Sequence, residues 1–255
     1  MSVASEITRL QNAKASLKSS INAKTDQQHQ ITNETIDHYS DFVDSIQTGG
    51  GTSYPPDWSQ IGYNNTPQSV IDDFNYAKEI YDNWNINVSD LSNKFNSDDK
   101  LVYMPLVDTS NVTNIDGCFG YCTNLYYVPL LNTSNITSMQ SSFSSCKSLK
   151  SIPLLDTKNV TTMRFAFQEC SFLEDIPQFD TSSIVRLSNM FTNCPKLTDT
   201  SLNNILKMCI NINPNYSRSK TLYELGLSSS NYPSSKIKTL PSYQDFINAG
   251  WTIGY

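Results

Sequence analysis

Cysteine and histidine are the side chains that most often bind metal ions or act as nucleophiles, and the chain has six cysteines and two histidines. Four of the cysteines recur every 24 residues: Cys122, Cys146, Cys170 and Cys194. Cys118 and Cys209 stand outside this spacing, His29 and His38 are far from all six in sequence, and no C-x-x-C motif occurs. We therefore expect no metal, no cofactor and no cysteine–histidine nucleophile.

Acidic side chains at the same spacing raise the question of acid–base chemistry, which in glycosidases uses two converging carboxylates. The column is Asp108, Asn132, Asp156 and Asp180, each followed by a threonine. Because Asn132 replaces an aspartate in this column, the pattern suits a turn whose side-chain oxygens bond nearby backbone groups. We expect no catalytic residue and no enzymatic activity.

Further columns share the 24-residue period. They are Phe119, Phe143, Phe167 and Phe191; Pro105, Pro129, Pro153 and Pro177; and Leu125, Leu149, Leu173 and Leu197. A fixed period of this length is typical of a solenoid, in which equivalent residues of successive coils stack about 4.8 Å apart. The periodic cysteines are then small buried hydrophobic residues, whereas the spacing leaves open whether Cys118 and Cys209 are partly exposed. Residues 85–100 keep the register and predict a degenerate opening half-coil.

One coil also resembles a known repeat. The matching residues are Leu149, Ile152, Pro153, Leu155, Asp156, Thr157, Val160, Thr161, Met163, Ala166, Phe167 and Cys170. They resemble the leucine-rich repeat of the bacterial-surface-protein-A type, over about residues 85–197. The resemblance implies an α+β fold: a leucine-rich-repeat-like solenoid with short parallel strands and helical caps. It also implies binding rather than chemistry.

The flanking segments predict the remaining domains. Residues 1–48 predict a coiled-coil-like helical anchor that forms a homodimer or homotrimer through Ile7, Leu10, Leu17 and Ile21; an amphipathic helix on a local core is the alternative. Residues 49–57 form a Gly/Pro linker. Residues 58–84 form an N-terminal capping region whose helix starts at Thr66-Pro67, and residues 198–255 form a C-terminal cap.

Charge and hydropathy limit the classes of partner that the chain is expected to bind. The net charge is −6, without a basic cluster suited to nucleic acid, and no apolar run is long enough to span a bilayer. The N-terminus lacks the features of a secretion signal. We therefore expect assembly in a cytoplasm, with release by some route other than secretion.

The segment from Ala4 to Lys14 and the ending from Tyr243 to Trp251 also look similar to termini of fibre and appendage proteins in phages of gut bacteria. This resemblance implies a virion protein, a capsid or tail fibre whose residues 1–48 bind other virion proteins and whose repeat points outward for host attachment. The alternatives are a capsid decoration or joint protein with a purely structural role, and a bacterial surface adhesin.

A ligand-binding face is suggested by columns that vary between coils. Tyr103, Tyr126, Tyr127 and Lys150 cluster at one end of the expected strand face. Tyrosine combines apolar area with a hydroxyl group, which suits a glycan or a host-surface protein. The alternative is that the tyrosines only cover the first coil beneath the preceding helix.

Overall fold

The computed structural model describes residues 68–254. The chain divides into two compact units, Met1–Ile71 and Asp72–Tyr255. The predicted anchor, including Ile7, Leu10, Leu17 and Ile21, lies outside the described residues, as do the linker, the Thr66-Pro67 helix start and both histidines.

Four helices occur in the described part of the chain. They are α1 (Gln68–Asp82), α2 (Asp199–Ile210), α3 (Ser234–Ile237) and α4 (Tyr243–Asn248). Between α1 and α2, successive 24-residue coils stack on one another, and we number them 1 to 5 by their phenylalanines Phe95, Phe119, Phe143, Phe167 and Phe191. Within residues 68–254, no helix combines the length and the hydropathy that crossing a bilayer requires.

The coils pair through single parallel bridges, where the sequence predicted short parallel strands. One line of bridges joins Asp90, Asn114, Ser138, Thr162 and Arg186 in turn. A second line, next to the prolines, contains only two bridges: one pairs Tyr103 with Tyr127, and the other pairs Ser151 with Asp175. Proline lacks the N–H that a ladder needs, so its recurrence at this place in every coil keeps the second line short.

Most of the pairing between coils occurs in the turn segment that carries the phenylalanines. The N–H groups of Gly117, Phe119 and Tyr121 donate to carbonyls of coil 3, at 2.7–2.8 Å. The N–H groups of Cys118, Gly120 and Cys122, in contrast, donate three residues back within coil 2. Adjacent N–H groups thus alternate between the next coil and their own.

Two residues in each turn segment adopt the left-handed conformation. The first column is Asn93, Gly117, Ser141, Phe165 and Asn189, and the second is Ser97, Tyr121, Ser145, Glu169 and Asn193, with φ of 54–62°. Such φ values are uncommon outside glycine because Cβ approaches the backbone. The column sequences contain only one glycine, so the stack imposes this conformation on residues that do not favour it.

The core is a line of stacked aromatic rings. Ring centroids of consecutive column phenylalanines are 5.2–5.8 Å apart, and their planes are within 13° of parallel. Leucine, valine or isoleucine, and methionine columns surround the rings. Each coil therefore buries its apolar side chains against their equivalents in the next coil.

The N-terminal end is covered by α1 and the residues after it. Tyr76, Ile80, Tyr81 and Trp84 pack against the core, and Ala77 is fully buried. The Tyr76 hydroxyl donates to Asp98, which stands where later coils have cysteine. In coil 1 the cysteine column has therefore become a polar contact with the covering helix.

At the C-terminal end, the turn-segment ladder continues past the last periodic coil. Asn189 and Phe191 donate to the carbonyls of Glu224 and Leu225, although the 24-residue period ends near Leu197. Helix α2 lies between these segments in sequence, with Thr198 accepting a capping bond from the N–H of Ser201. Gly226 has a φ of 84°, and a Cβ there would lie 2.6 Å from the N of Thr192. Glycine is thus required for this final segment to approach coil 5.

Candidate binding face and the polar columns of the repeat

The four predicted ligand-binding residues lie close together. Tyr103 and Tyr127 form a parallel bridge, and the Tyr103 and Tyr126 rings meet edge to face at 6.3 Å. The Lys150 Nζ lies 6.0 Å from the centroid of the Tyr126 ring. Three successive coils thus each contribute to one face, which we call the tyrosine face.

These residues differ in how much surface they offer. Tyr103 is only 7% exposed, whereas Tyr126, Tyr127 and Lys150 are partly exposed. Desolvation, reinforced by the charge of Glu174, raises the pKa of the Tyr126 phenol. Tyr103 therefore acts mainly in packing, and any contact with a ligand would fall to Tyr126, Tyr127 and Lys150.

The cysteine column is buried and unoxidised. All six cysteines are free and buried, which confirms the interpretation of the periodic four as small core residues. Each periodic thiol also donates a hydrogen bond to a phenylalanine carbonyl 27 residues earlier, at 2.9–3.0 Å. Burial raises the pKa of Cys122 and Cys194 to about 12, so these thiols are poor nucleophiles near neutral pH.

Cys118 and Cys209, whose exposure the spacing left open, are both buried, at about 1% exposed or less. Cys118 belongs to a buried column of its own, with Ser142, Ala166 and Met190 in the later coils. Cys209 lies on the buried side of α2, where Leu202, Ile205 and Leu206 also face the core.

The acidic column makes turns, as predicted. Asp108, Asn132, Asp156 and Asp180 each accept a hydrogen bond from the backbone N–H two residues ahead, at 2.9–3.2 Å. Hydrogen bonds from Ser110 lower the pKa of the Asp108 carboxyl, and those from Ser182 lower that of Asp180. Among residues 68–254, no group of three or more His, Cys, Asp or Glu side chains is arranged to hold a metal ion.

Threonine and asparagine columns link the coils further. Buried Thr109, Thr133 and Thr157 donate to carbonyls 23 residues ahead, at 2.7–2.9 Å. On the outside, Asn111, Asn135 and Asn159 donate to carbonyls 25 residues back, at 2.7–3.0 Å. The recurring polar side chains are thus used to join coils.

Sequence reasoning missed two features of the surface. Phe172 is 46% exposed, and the Lys196 Nζ lies 3.7 Å from its ring centroid. Arg164 lies beside the left-handed Phe165, with its guanidinium carbon 5.0 Å from that ring. For Phe165, the signal available in the sequence was a bulky residue in a column that otherwise has Asn, Gly or Ser.

Comparison with known families gives one match. Residues 124–222 match the family described as "Mycoplasma protein of unknown function, DUF285". This match is consistent with a repeat protein of the bacterial-surface-protein-A type. The matched segment runs from coil 2 through α2 to Leu222, at the start of the final ladder segment. No curated protein and no solved structure was found to match the chain.

Proposed function

We propose that the chain is a non-enzymatic binding scaffold, a leucine-rich-repeat-like solenoid that presents variable side chains on a regular frame. The supporting observation is that columns with recurring residues and columns with varying residues have different roles. Recurring polar side chains bond to the backbone of adjacent coils, whereas the varying Tyr126, Lys150 and Glu174 occupy equivalent places on the tyrosine face. Repeat frames of this kind serve mainly as extended binding surfaces.

Within this proposal, we place the chain in a bacteriophage virion, as a capsid or tail appendage. Residues 1–48 would attach it to other virion proteins as a homodimer or homotrimer, and the tyrosine face would contact a glycan or protein of the host surface. The support is the likeness of the two ends of the chain to those of phage fibre proteins. Several weakly binding copies on one particle would raise the effective affinity.

A bacterial surface adhesin is the second candidate. It is favoured by the match at residues 124–222, because the description of that family names a Mycoplasma protein. A decoration or joint protein that only packs against virion neighbours is a variant of the first proposal, and it differs by having no ligand on the tyrosine face.

Mass spectrometry of purified phage particles, together with surface labelling of intact producing cells, distinguishes the candidates. The virion proposal expects the chain in particles and no labelling on cells, and the reverse result would favour the adhesin. Light scattering of the full chain then tests the anchor, for which we expect the mass of a dimer or trimer. A monomer would contradict self-association through Ile7, Leu10, Leu17 and Ile21.

The tyrosine face is tested by Y126A/Y127A in the full chain. We expect binding to host cells to weaken and thermal stability to stay near that of the wild type. The matched control is Tyr223→Ala, because Tyr223 is 66% exposed and lies in the C-terminal region. A large loss of stability without a specific loss of binding would show that these tyrosines only cover the coils.

A further inference from the structure

The register of the repeat and one direct contact associate three of the four arginines in the chain with Ser188. They are Arg164, Arg186 and Arg218, and we call them the arginine cluster. The chain as a whole carries a net charge of −6, so a local concentration of guanidinium groups is unusual for this molecule.

The register of the repeat places Arg164 next to coil 5. In the equivalent position of coil 2, Asp116 accepts bonds from the Ser138 hydroxyl and from the Gln140 N–H at 2.8 Å. Two coils further on, the equivalents of these three residues are Arg164, Arg186 and Ser188. Backbone hydrogen bonds show the same register. The N–H of Met163 donates to the Arg186 carbonyl at 2.9 Å, and the N–H of Phe165 donates to the Ser188 carbonyl at 3.1 Å.

Arg218 approaches Ser188 from the segment after α2. Its Nη2 lies 3.5 Å from the Ser188 hydroxyl oxygen, and its Nε lies 3.6 Å from a carboxylate oxygen of Glu224. The same carboxylate accepts a bond from Ser188. Among the described residues, Glu224 pairs with Arg218, whereas neither Arg164 nor Arg186 forms an ion pair.

Arg164 itself has an unused donor. Its Nε is buried and has no hydrogen-bond partner among the described residues. A buried donor without a partner is costly and is uncommon in folded proteins. An acceptor from outside the chain would satisfy it, and the adjacent guanidinium groups would favour an acceptor with negative charge.

Phe165, beside Arg164, adds a second, independent observation. It has a φ of 58°, in a column whose other members are Asn93, Gly117, Ser141 and Asn189. The conformation recurs in every coil, and what distinguishes coil 4 is the bulky aromatic side chain that it has at this place. The ring of Phe165 contacts the Arg164 guanidinium and is partly exposed, so it offers an apolar surface beside the positive charge.

We propose that the arginine cluster and Phe165 bind the carboxylate group of an acidic glycan. Guanidinium groups match the fork geometry of a carboxylate, and the Phe165 ring provides a face for the C–H groups of the sugar. A compact group of three arginines suits one anionic group, whereas nucleic acid needs cations along a strand. The site lies on coils 4 and 5 and does not depend on the virion assignment or on the tyrosine face.

The first test measures binding of the full chain to an oligomer of galacturonic acid by calorimetry, with an oligomer of galactose of the same length as the neutral probe. We expect binding of the acidic oligomer only, and R164Q/R186Q/R218Q should weaken it by about tenfold or more, one charge-assisted contact being enough for that factor. The matched control is K94Q/K147Q/K158Q, which removes the same charge from exposed lysines outside the arginine cluster and should retain affinity.

Equal losses in the arginine and lysine variants would show non-specific attraction and overturn the proposal. Equal binding of oligoglutamate would show that the site recognises acidic peptides rather than acidic sugars, and no binding of the acidic oligomer would also overturn it. Because Arg218 pairs with Glu224, the single variant R186Q, at an exposed side chain, keeps the test valid if the triple variant fails to fold.

A second test uses the strain at Phe165. Phe165→Asn introduces the residue that the same column has at positions 93 and 189. We expect the variant to be at least as stable to heat as the wild type and to bind the acidic oligomer more weakly. Lower stability with unchanged affinity would assign Phe165 to packing and contradict its role in the site.

Discussion

The thiol of Cys146 donates a hydrogen bond to the backbone carbonyl of Phe119, 27 residues earlier, at 3.0 Å. The same bond recurs in four coils and ties the cysteine column to the aromatic column. The side chain needed at this position is therefore small, largely apolar and able to donate one hydrogen bond, and cysteine meets all three requirements.

Cys146→Ala should destabilise the chain by about 0.5–1.5 kcal/mol, because the Phe119 carbonyl would lose its side-chain donor and keep only the N–H of Cys122. Cys146→Ser keeps a donor and should lose less. Urea unfolding followed by circular dichroism measures both variants. Equal loss in the two variants would mean that the thiol contributes only volume.

The stacked rings predict a position-dependent cost. Phe143 has rings at 5.2 and 5.5 Å on its two sides, whereas Phe95 stacks on one ring, that of Phe119, among the described residues. Phe143→Ala should cost about 3–5 kcal/mol, as expected for a large-to-small change in a core, and Phe95→Ala should cost less. Equal losses in urea unfolding would contradict stacking as the source of the difference.

The buried threonine column predicts a loss from an isosteric change. Thr157 is 1% exposed, and its hydroxyl donates to the Asp180 carbonyl at 2.7 Å. Thr157→Val should cost about 1–3 kcal/mol because a buried acceptor loses its donor. Thr161→Val is the control, since Thr161 is exposed and should change stability by about 0.5 kcal/mol or less. Similar effects at both positions would show that burial of the bond is unimportant.

The thiols also predict how stability depends on pH. Burial raises the pKa of Cys122 and Cys194 to about 12, from an ordinary value of 9.0. The unfolded chain therefore loses these protons first, and its free energy falls relative to the folded state as pH rises. The contribution of these two thiols to stability should be constant below about pH 8.5 and should decline from there towards pH 12. The midpoint of urea unfolding at pH 7.5 and at pH 10 measures the decline.

Thiol labelling gives a further check on the same burial. A disulfide reagent at pH 8 should modify none of the six cysteines in the folded chain and all six in urea, because all are buried. Rapid labelling of one or two thiols before unfolding would show that Cys118 or Cys209 opens to solvent.

The repeat itself could be predicted, because a fixed period leaves one consistent way to stack like residues. Phe119, Phe143 and Phe167 do stack, and Asp108 and Asp180 do make turns, as their spacing indicates. The closeness of Tyr103, Tyr126 and Lys150 also follows from register alone. Their role in binding is a separate question that register does not answer.

The tertiary structure alone decided the contacts of residues that the 24-residue period does not relate to one another. Glu224 and Leu225 complete the ladder after an intervening helix, and no spacing in the sequence connects them to Asn189 and Phe191. The left-handed conformation of Phe165 is imposed by the adjacent coils against the preference of the residue. Arg218 joins Arg164 and Arg186 only because the final segment folds back onto coil 5. Local sequence determines which residues repeat, whereas contacts between segments far apart in the chain depend on packing that no local pattern records.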